Sequence, residues 1–206
     1  GASEDLRALE SNTVSVMTGR DEARREVLVT NGNTASANYA MLGYALGRLA
    51  GIPVQRDMGR VIDGAMSGIA KASLSGGQLI SSLTDGDLNA LHDKGYIFFT
   101  RHAGKNGFYF ITDPTCVSTS DDYAYISRGR TIDKVARIAR RVYLDFLLDE
   151  VSLDDEGRLS TIVVKTFEST MRSAIEREMQ DLGEISSVSV TVDPNQNVLS
   201  TGKIER

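Results

Sequence analysis

Between Tyr96 and Tyr125 lie eight of the chain's thirteen aromatic residues, and they constrain the fold more than any other feature of the sequence. Most sit in two runs, Tyr96-Ile97-Phe98-Phe99-Thr100-Arg101 and Gly107-Phe108-Tyr109-Phe110-Ile111-Thr112, connected through Gly104-Lys105-Asn106. Aromatic and β-branched side chains suit a pleated surface, and runs this apolar ask for burial on both faces. The pattern predicts a hairpin that anchors the core, ended by a turn at Asp113-Pro114. A chain of 206 residues needs no staples for such a core, because folding at this size removes roughly 70% of the unfolded surface from water.

Around the hairpin, helical and extended patterns alternate. Residues 14–17 alternate in polarity, and 26–30 read as a short strand. A cap at Thr34 or Ser36 predicts a helix with Met41, Leu42, Ala45, Leu46 and Leu49 on one face, stopped by Gly51 and Pro53. Gly43 and Gly47, four apart on that helix, would let another backbone approach closely. Residues 59–86 are rich in Gly, Ser and Ala and read as a flexible loop with one short helix over 68–74. Thr84-Asp85-Gly86-Asp87 starts a helix over Leu88 and Leu91, which Lys94-Gly95 closes.

Ser120-Asp121-Asp122 reads as the next helix start, and Ile132, Val135, Ala139, Val142 and Phe146 carry that helix to about Asp149. A turn at 154–157 leads to a second long helix over 160–182, with Val164, Phe167, Met171, Ile175 and Leu182 on one face and Gly183 as its stop. A strand over 185–192, a turn over 193–197 and a strand from Val198 follow. The order β-α-α-β-β-α-α-β-β predicts an α/β fold, a mixed β-sheet packed by helices, in one domain over 1–206.

Composition narrows the chemistry. Cys116 is alone, so no intramolecular disulfide framework exists, and with only His92 and His102 beside it a His/Cys zinc site is hard to build. The longest apolar runs are too short to span a bilayer, no secretory signal opens the chain, and no Asn-x-Ser/Thr acceptor occurs. These absences point to a reducing, intracellular compartment and to no membrane partner. The chain starts at Gly1 and stops at Ile204-Glu205-Arg206, and both ends read as cuts inside a longer protein. A net charge of −5 and a pI near 5.1 argue against bulk nucleic-acid binding but leave room for a local basic patch.

Leu74-Ser75-Gly76-Gly77-Gln78 matches the signature peptide of ABC-type ATPases, but that peptide works against a phosphate-cradling G-x-x-x-x-G-K-[ST] loop, and the chain has none. Gly107 to Ile111 partly matches the RNA-stacking strand of RRM domains, yet Asn106, Tyr109 and Asp113 stand where that motif needs a basic, a small and an aromatic residue. Cys116, His92 and His102 would form a thiol site only if they met in space; a lone cysteine is ordinarily a small buried hydrophobe. Asp121-Asp122 reads as capping, and Asp154-Asp155-Glu156 lacks the alternating ligand spacing of a calcium loop. No catalytic residue, metal or cofactor is therefore expected.

Residues 128–141 hold six Lys/Arg against one Asp, a local charge of +5 in an acidic protein. Arg130, Lys134, Arg137 and Arg141 are spaced four, three and four, one stripe along a helix. A solvated face is the ordinary meaning of such a stripe. The alternatives are a docking surface for an acidic partner, or a nucleic-acid-binding module using this basic helix.

From the hairpin onward the sequence resembles the tail-sheath subunits of contractile phage tails and injection systems, closest to a sheath-like family from bacterial prophages. The residues that carry the likeness are Gly104-Lys105-Asn106-Gly107-Phe108-Tyr109-Phe110-Ile111-Thr112-Asp113-Pro114, Asp121-Asp122-Tyr123, Arg130-Thr131-Ile132-Asp133-Lys134, Gly183-Glu184-Ile185 and Val192-Asp193-Pro194. The small-residue helix with Gly43, Gly47 and Gly51-Ile52-Pro53-Val54 is compatible with it. The resemblance implies a tail-sheath-like core domain that stacks helically around an inner tube and contracts. It implies partnership with neighbouring sheath subunits and with the inner tail tube protein. The expected location is the bacterial cytoplasm during assembly, then a phage tail or injection particle. Such subunits join by terminal arms that add strands to neighbouring sheets. By the same analogy Arg130, Lys134, Arg137 and Arg141 are the tube-facing residues; the linking arms themselves are missing from this sequence.

Overall fold

The two aromatic runs do pair as strands at the centre of a core, though in shorter pieces than their composition suggests. The computed structural model describes residues 4–30, 33–75, 77–146 and 152–195. Its elements are β1 (Val16–Met17), β2 (Arg20–Thr30), β3 (Asn33–Ala40), α1 (Met41–Gly51), β4 (Ala72–Ser73), α2 (Asp85–Asp93), β5 (Tyr96–Ile97), β6 (Phe99–Thr100), β7 (Tyr109–Phe110), α3 (Ile126–Asp145) and α4 (Thr161–Ile175). The fold is α/β with mixed pairing: β1-β5 is parallel, while β3-β2-β4 and β6-β7 are antiparallel. Where the sequence reads one domain over 1–206, the chain divides into two compact units, Gly1–Arg130 and Thr131–Arg206.

In the first unit the run 96–101 serves two sheets. It divides at Phe98: Tyr96 and Ile97 pair with Val16 and Met17, and Phe99 and Thr100 pair with Phe110 and Tyr109. Ile97, Phe98, Phe99 and Phe110 are all 0% exposed, the two-sided burial the sequence predicts. Each such side chain contributes roughly 1.5–3 kcal/mol on leaving water. The Phe99 ring meets Phe110 at 5.2 Å and the edge of Tyr44 from α1 at 6.0 Å.

The helix expected from Thr34 or Ser36 begins later. Residues 33–40 are β3, paired with β2 from Thr30↔Asn33 to Arg20↔Ala40, and α1 starts at Met41. Asn31-Gly32 is the dipeptide that two-residue hairpins favour, and its preference outweighs that of the cap residues. The expected apolar face of α1 is also rotated. Met41 and Ala45 are buried and Tyr44 and Leu49 pack beside them, whereas Leu42 and Leu46 are exposed.

Residues 59–86 are woven into this core. Ala72, Leu74 and Ile80 are buried, and β4 replaces the short helix expected over 68–74. A left-handed Gly68 (φ 79) and the pairing of Ala72 and Ser73 with β2 decide against that helix. Gly59 allows the segment to lie against the second aromatic run: a Cβ there would stand 2.7 Å from the Ile111 carbonyl oxygen and 2.8 Å from that of Phe110. The α2 helix forms as its sequence predicts. Thr84 Oγ1 accepts the Asp87 N–H (3.3 Å), Asp87 Oδ2 accepts the Thr84 N–H (3.0 Å), and Gly95 (φ 83) follows the helix.

In the second unit Ser160 Oγ accepts the Val163 N–H (3.4 Å) and starts α4, a turn at 154–157 having preceded it with Gly157 at φ 76. A wider turn over Glu176–Gln180 extends α4 and Gly183 (φ 70) stops it. Ile138 and Val142 of α3, and Val164, Ala174 and Ile175 of α4, form its buried core with Met179. Phe146 and Phe167 meet edge-on at 4.4 Å. Two expected core residues point elsewhere, Ile132 being 48% and Leu182 65% exposed. The expected end of the first long helix at 147–149, Gly76, the end of the 193–197 turn and the strand from Val198 lie outside the described residues.

Candidate functional site

The basic stripe is largely consumed within the chain. Arg130 Nη2 donates to the carbonyls of Leu49 (2.6 Å) and Ile52 (3.1 Å), the negative end of α1. Lys134 Nζ pairs with Glu184 Oε2 at 2.5 Å, and Arg141 pairs with Glu178. The hydrogen bond between them raises the Arg141 guanidinium further and holds the Glu178 carboxyl below the usual carboxylate range. Arg137 is exposed and has no partner among the described residues. Nearby, Arg128 lies 5.0 Å over the Tyr125 ring and donates to the Asp121 carbonyl (3.2 Å).

The other motifs take local structural roles. Leu74 N–H donates to the Gln78 carbonyl (2.8 Å) and Gly77 N–H to that of Leu74 (2.9 Å), with Gly77 left-handed at φ 89: the ATPase-like peptide is a tight turn. Tyr109 and Phe110 are buried, so the RRM-like strand offers no open stacking platform. Cys116 is 0% exposed, its N–H donates to the Val14 carbonyl (2.9 Å), and burial pushes its thiol up, the reverse of what a nucleophile needs. His92 sits 3.6 Å from Asp93, while His102 packs on Tyr109 at 5.1 Å. Asp121 Oδ1 accepts the Tyr123 N–H (2.7 Å), and Asp154 Oδ1 accepts those of Glu156 (3.0 Å) and Arg158 (2.7 Å). No group of three or more His, Cys, Asp or Glu able to hold a metal occurs among the described residues. No helix among them is long and apolar enough to cross a membrane.

The feature that sequence reading foresaw only in part is the segment 185–192. It forms no strand with the described residues, and from Ile185 to Thr191 no backbone N–H or C=O is hydrogen-bonded among them; the strand expected from Val198 lies outside them. Val188, Val190 and Val192 are half-buried, while Ser189 and Thr191 are exposed, the period-two alternation of a strand lying on a core. The three valines border an apolar cleft of ≈ 400 Å³ with Tyr143, Phe167 and Met171. One clasp holds the segment. Val192 N–H donates to Glu168 Oε1 (3.1 Å), while Lys165 Nζ meets Oε2 of the same buried carboxylate at 2.6 Å. The Lys165 bond, and then the Val192 N–H, hold Glu168 below the usual carboxylate range.

A second feature, invisible in the sequence, sets the start of α3. The Ser120-Asp121-Asp122 cap expected there is a turn, and the helix begins at Ile126. Asp113, read as part of a turn, is extended and 0% exposed; its carbonyl accepts the Ile126 N–H (2.8 Å) and its Oδ2 the Ser127 N–H (2.9 Å). Burial, and then the charge of Asp57, push Asp113 up to about 8.

The descriptions "DUF2586, N-terminal domain" and "DUF2586, C-terminal domain" match residues 2–113 and 122–205. No curated protein matches the chain. The two matches divide the sequence near the division into compact units. With both domains present in their order, the chain belongs to the DUF2586 family.

Proposed function

We propose that this chain is a structural subunit of a contractile tail sheath, assembling helically around an inner tube and contracting to drive it. The observation that carries the reading is the apolar cleft along which the segment 185–192 lies, held there by Glu168. Its residues alternate between half-buried and exposed, and its backbone from Ile185 to Thr191 has no partner among the described residues. An extended segment of a neighbouring subunit would complete it, satisfying the open N–H and C=O groups and covering the cleft beside Tyr143 and Phe167. The resemblance in residues 104–114 supports the same reading. In it the protein is not an enzyme and needs no cofactor; its partners are copies of itself and the inner tube protein. It is made in the bacterial cytoplasm and ends in a phage tail or injection particle.

The test is electron microscopy of the protein expressed from its complete gene with its tube partner. Tubes or rings are expected, and a protein that stays monomeric there overturns the reading. Thr191→Pro removes the N–H of an exposed residue that is unbonded among the described residues, and should abolish assembly while leaving the subunit's melting temperature unchanged. Thr191→Ala, which keeps the N–H, should assemble like the native chain.

A further inference from the structure

Asp113 combines two properties that sit badly together: it is fully buried, and it anchors a 20-residue helix through two backbone bonds. Its Oδ1 is buried with no hydrogen-bond partner. The group whose charge acts on it is another carboxylate, Asp57, which is held by the Gly59 N–H at 2.6 Å on Oδ1 and by the Thr112 hydroxyl on Oδ2. No described Lys or Arg is among the groups that act on Asp113. Arg56 and Arg60 are turned to Asp63 (3.3 and 3.2 Å), Arg128 to Tyr125 and Asp121, and Arg130 to the carbonyls of Leu49 and Ile52. The Ser127 amide and the α3 dipole favour an anion at Oδ2, but burial and the facing Asp57 outweigh them, so a proton on Asp113 resolves the conflict.

We propose that Asp113 is a proton-operated latch: protonated, it holds the first turn of α3 against the aromatic core through Ile126 and Ser127; deprotonated, it lets that turn open. Ile126 packs on the core cluster around Phe98 and Phe99, so opening the turn exposes a piece of that core. The sign follows from proton linkage. The folded carboxyl binds its proton more tightly than an exposed one, about 8 against 3.8. The latch is therefore tightest below 3.8, weakens as pH rises and has no more to lose above about 8. Between those limits the opening constant of the turn rises about tenfold per pH unit.

Amide hydrogen exchange of Ile126 and Ser127 from about pH 5 to 9, corrected for base catalysis, measures this directly. The native protein should show the tenfold-per-unit rise and a plateau above about pH 8. Asp113→Asn, which keeps an acceptor for Ser127 but cannot ionise, should give a flat profile. Asp57→Asn should move the plateau to lower pH, and it decides the matter if Asp113→Asn does not fold. The Leu88 amide in α2 should stay flat. A flat native profile, a slope that survives in Asp113→Asn, a plateau unmoved in Asp57→Asn, or a Leu88 amide that shares the slope overturns the latch.

Discussion

Single residues decide how close the segments of the first unit can come. Gly59 is the sharpest instance, since any side chain there meets two carbonyl oxygens of the second aromatic run. Gly59→Ala should destabilise the protein by about 1–3 kcal/mol in chemical denaturation, because backbone cannot yield as a flexible side chain would. The basic stripe separates at the same scale. Arg130→Ala strips two carbonyls at the end of α1 of their charged donor and should cost about 1–3 kcal/mol. Arg137→Ala, with no partner to lose among the described residues, should stay within about 0.5 kcal/mol. For docking to the tube, Arg137→Glu is the clean reversal. Charge reversal at Lys134 or Arg141 would also break the pairs with Glu184 and Glu178. Weakened tube binding by Arg137→Glu is the expected outcome, and unchanged binding leaves the stripe a solvated and structural face.

Elements whose signals lie within one turn of chain form where the sequence puts them. The α2 helix has its capping box and closing glycine between Thr84 and Gly95, and α4 has Ser160 and Gly183 at its two ends. Thr84→Ala and Ser160→Ala should each lower stability by about 1 kcal/mol, read from urea midpoints. Where two local signals compete, the outcome follows the stronger long-range pairing. Residues 33–40 carry helix caps yet pair with β2, and 72–73 pair with the same strand instead of helping to make a helix. The start of α3 moved from 120–122 to Ile126 because its cap comes from Asp113, a contact across fourteen residues that no local pattern encodes. The strand expected over 185–192 is the opposite case: its alternation of burial is there, but it forms no strand among the described residues.

At the scale of the molecule, the apolar cleft beside Val188, Val190 and Val192 offers surface that association would bury. Assembly should therefore depend on protein concentration in sedimentation, and Thr191→Pro should remove that dependence without altering the monomer's far-ultraviolet circular dichroism. The amino-acid sequence by itself determined the α/β class, the aromatic core, the α2 and α4 helices and the exclusion of an assembled phosphate loop, because hydrophobic periodicity, capping and turn chemistry act over a few residues. Tertiary structure alone decided that the chain forms two units, that Arg130, Lys134 and Arg141 are spent on internal partners, that a buried acid from another segment starts α3, and that Glu168 clasps Val192. Each of these depends on which distant groups meet, and a partner for a charge or a strand edge is chosen by the packed chain rather than by its neighbours in sequence.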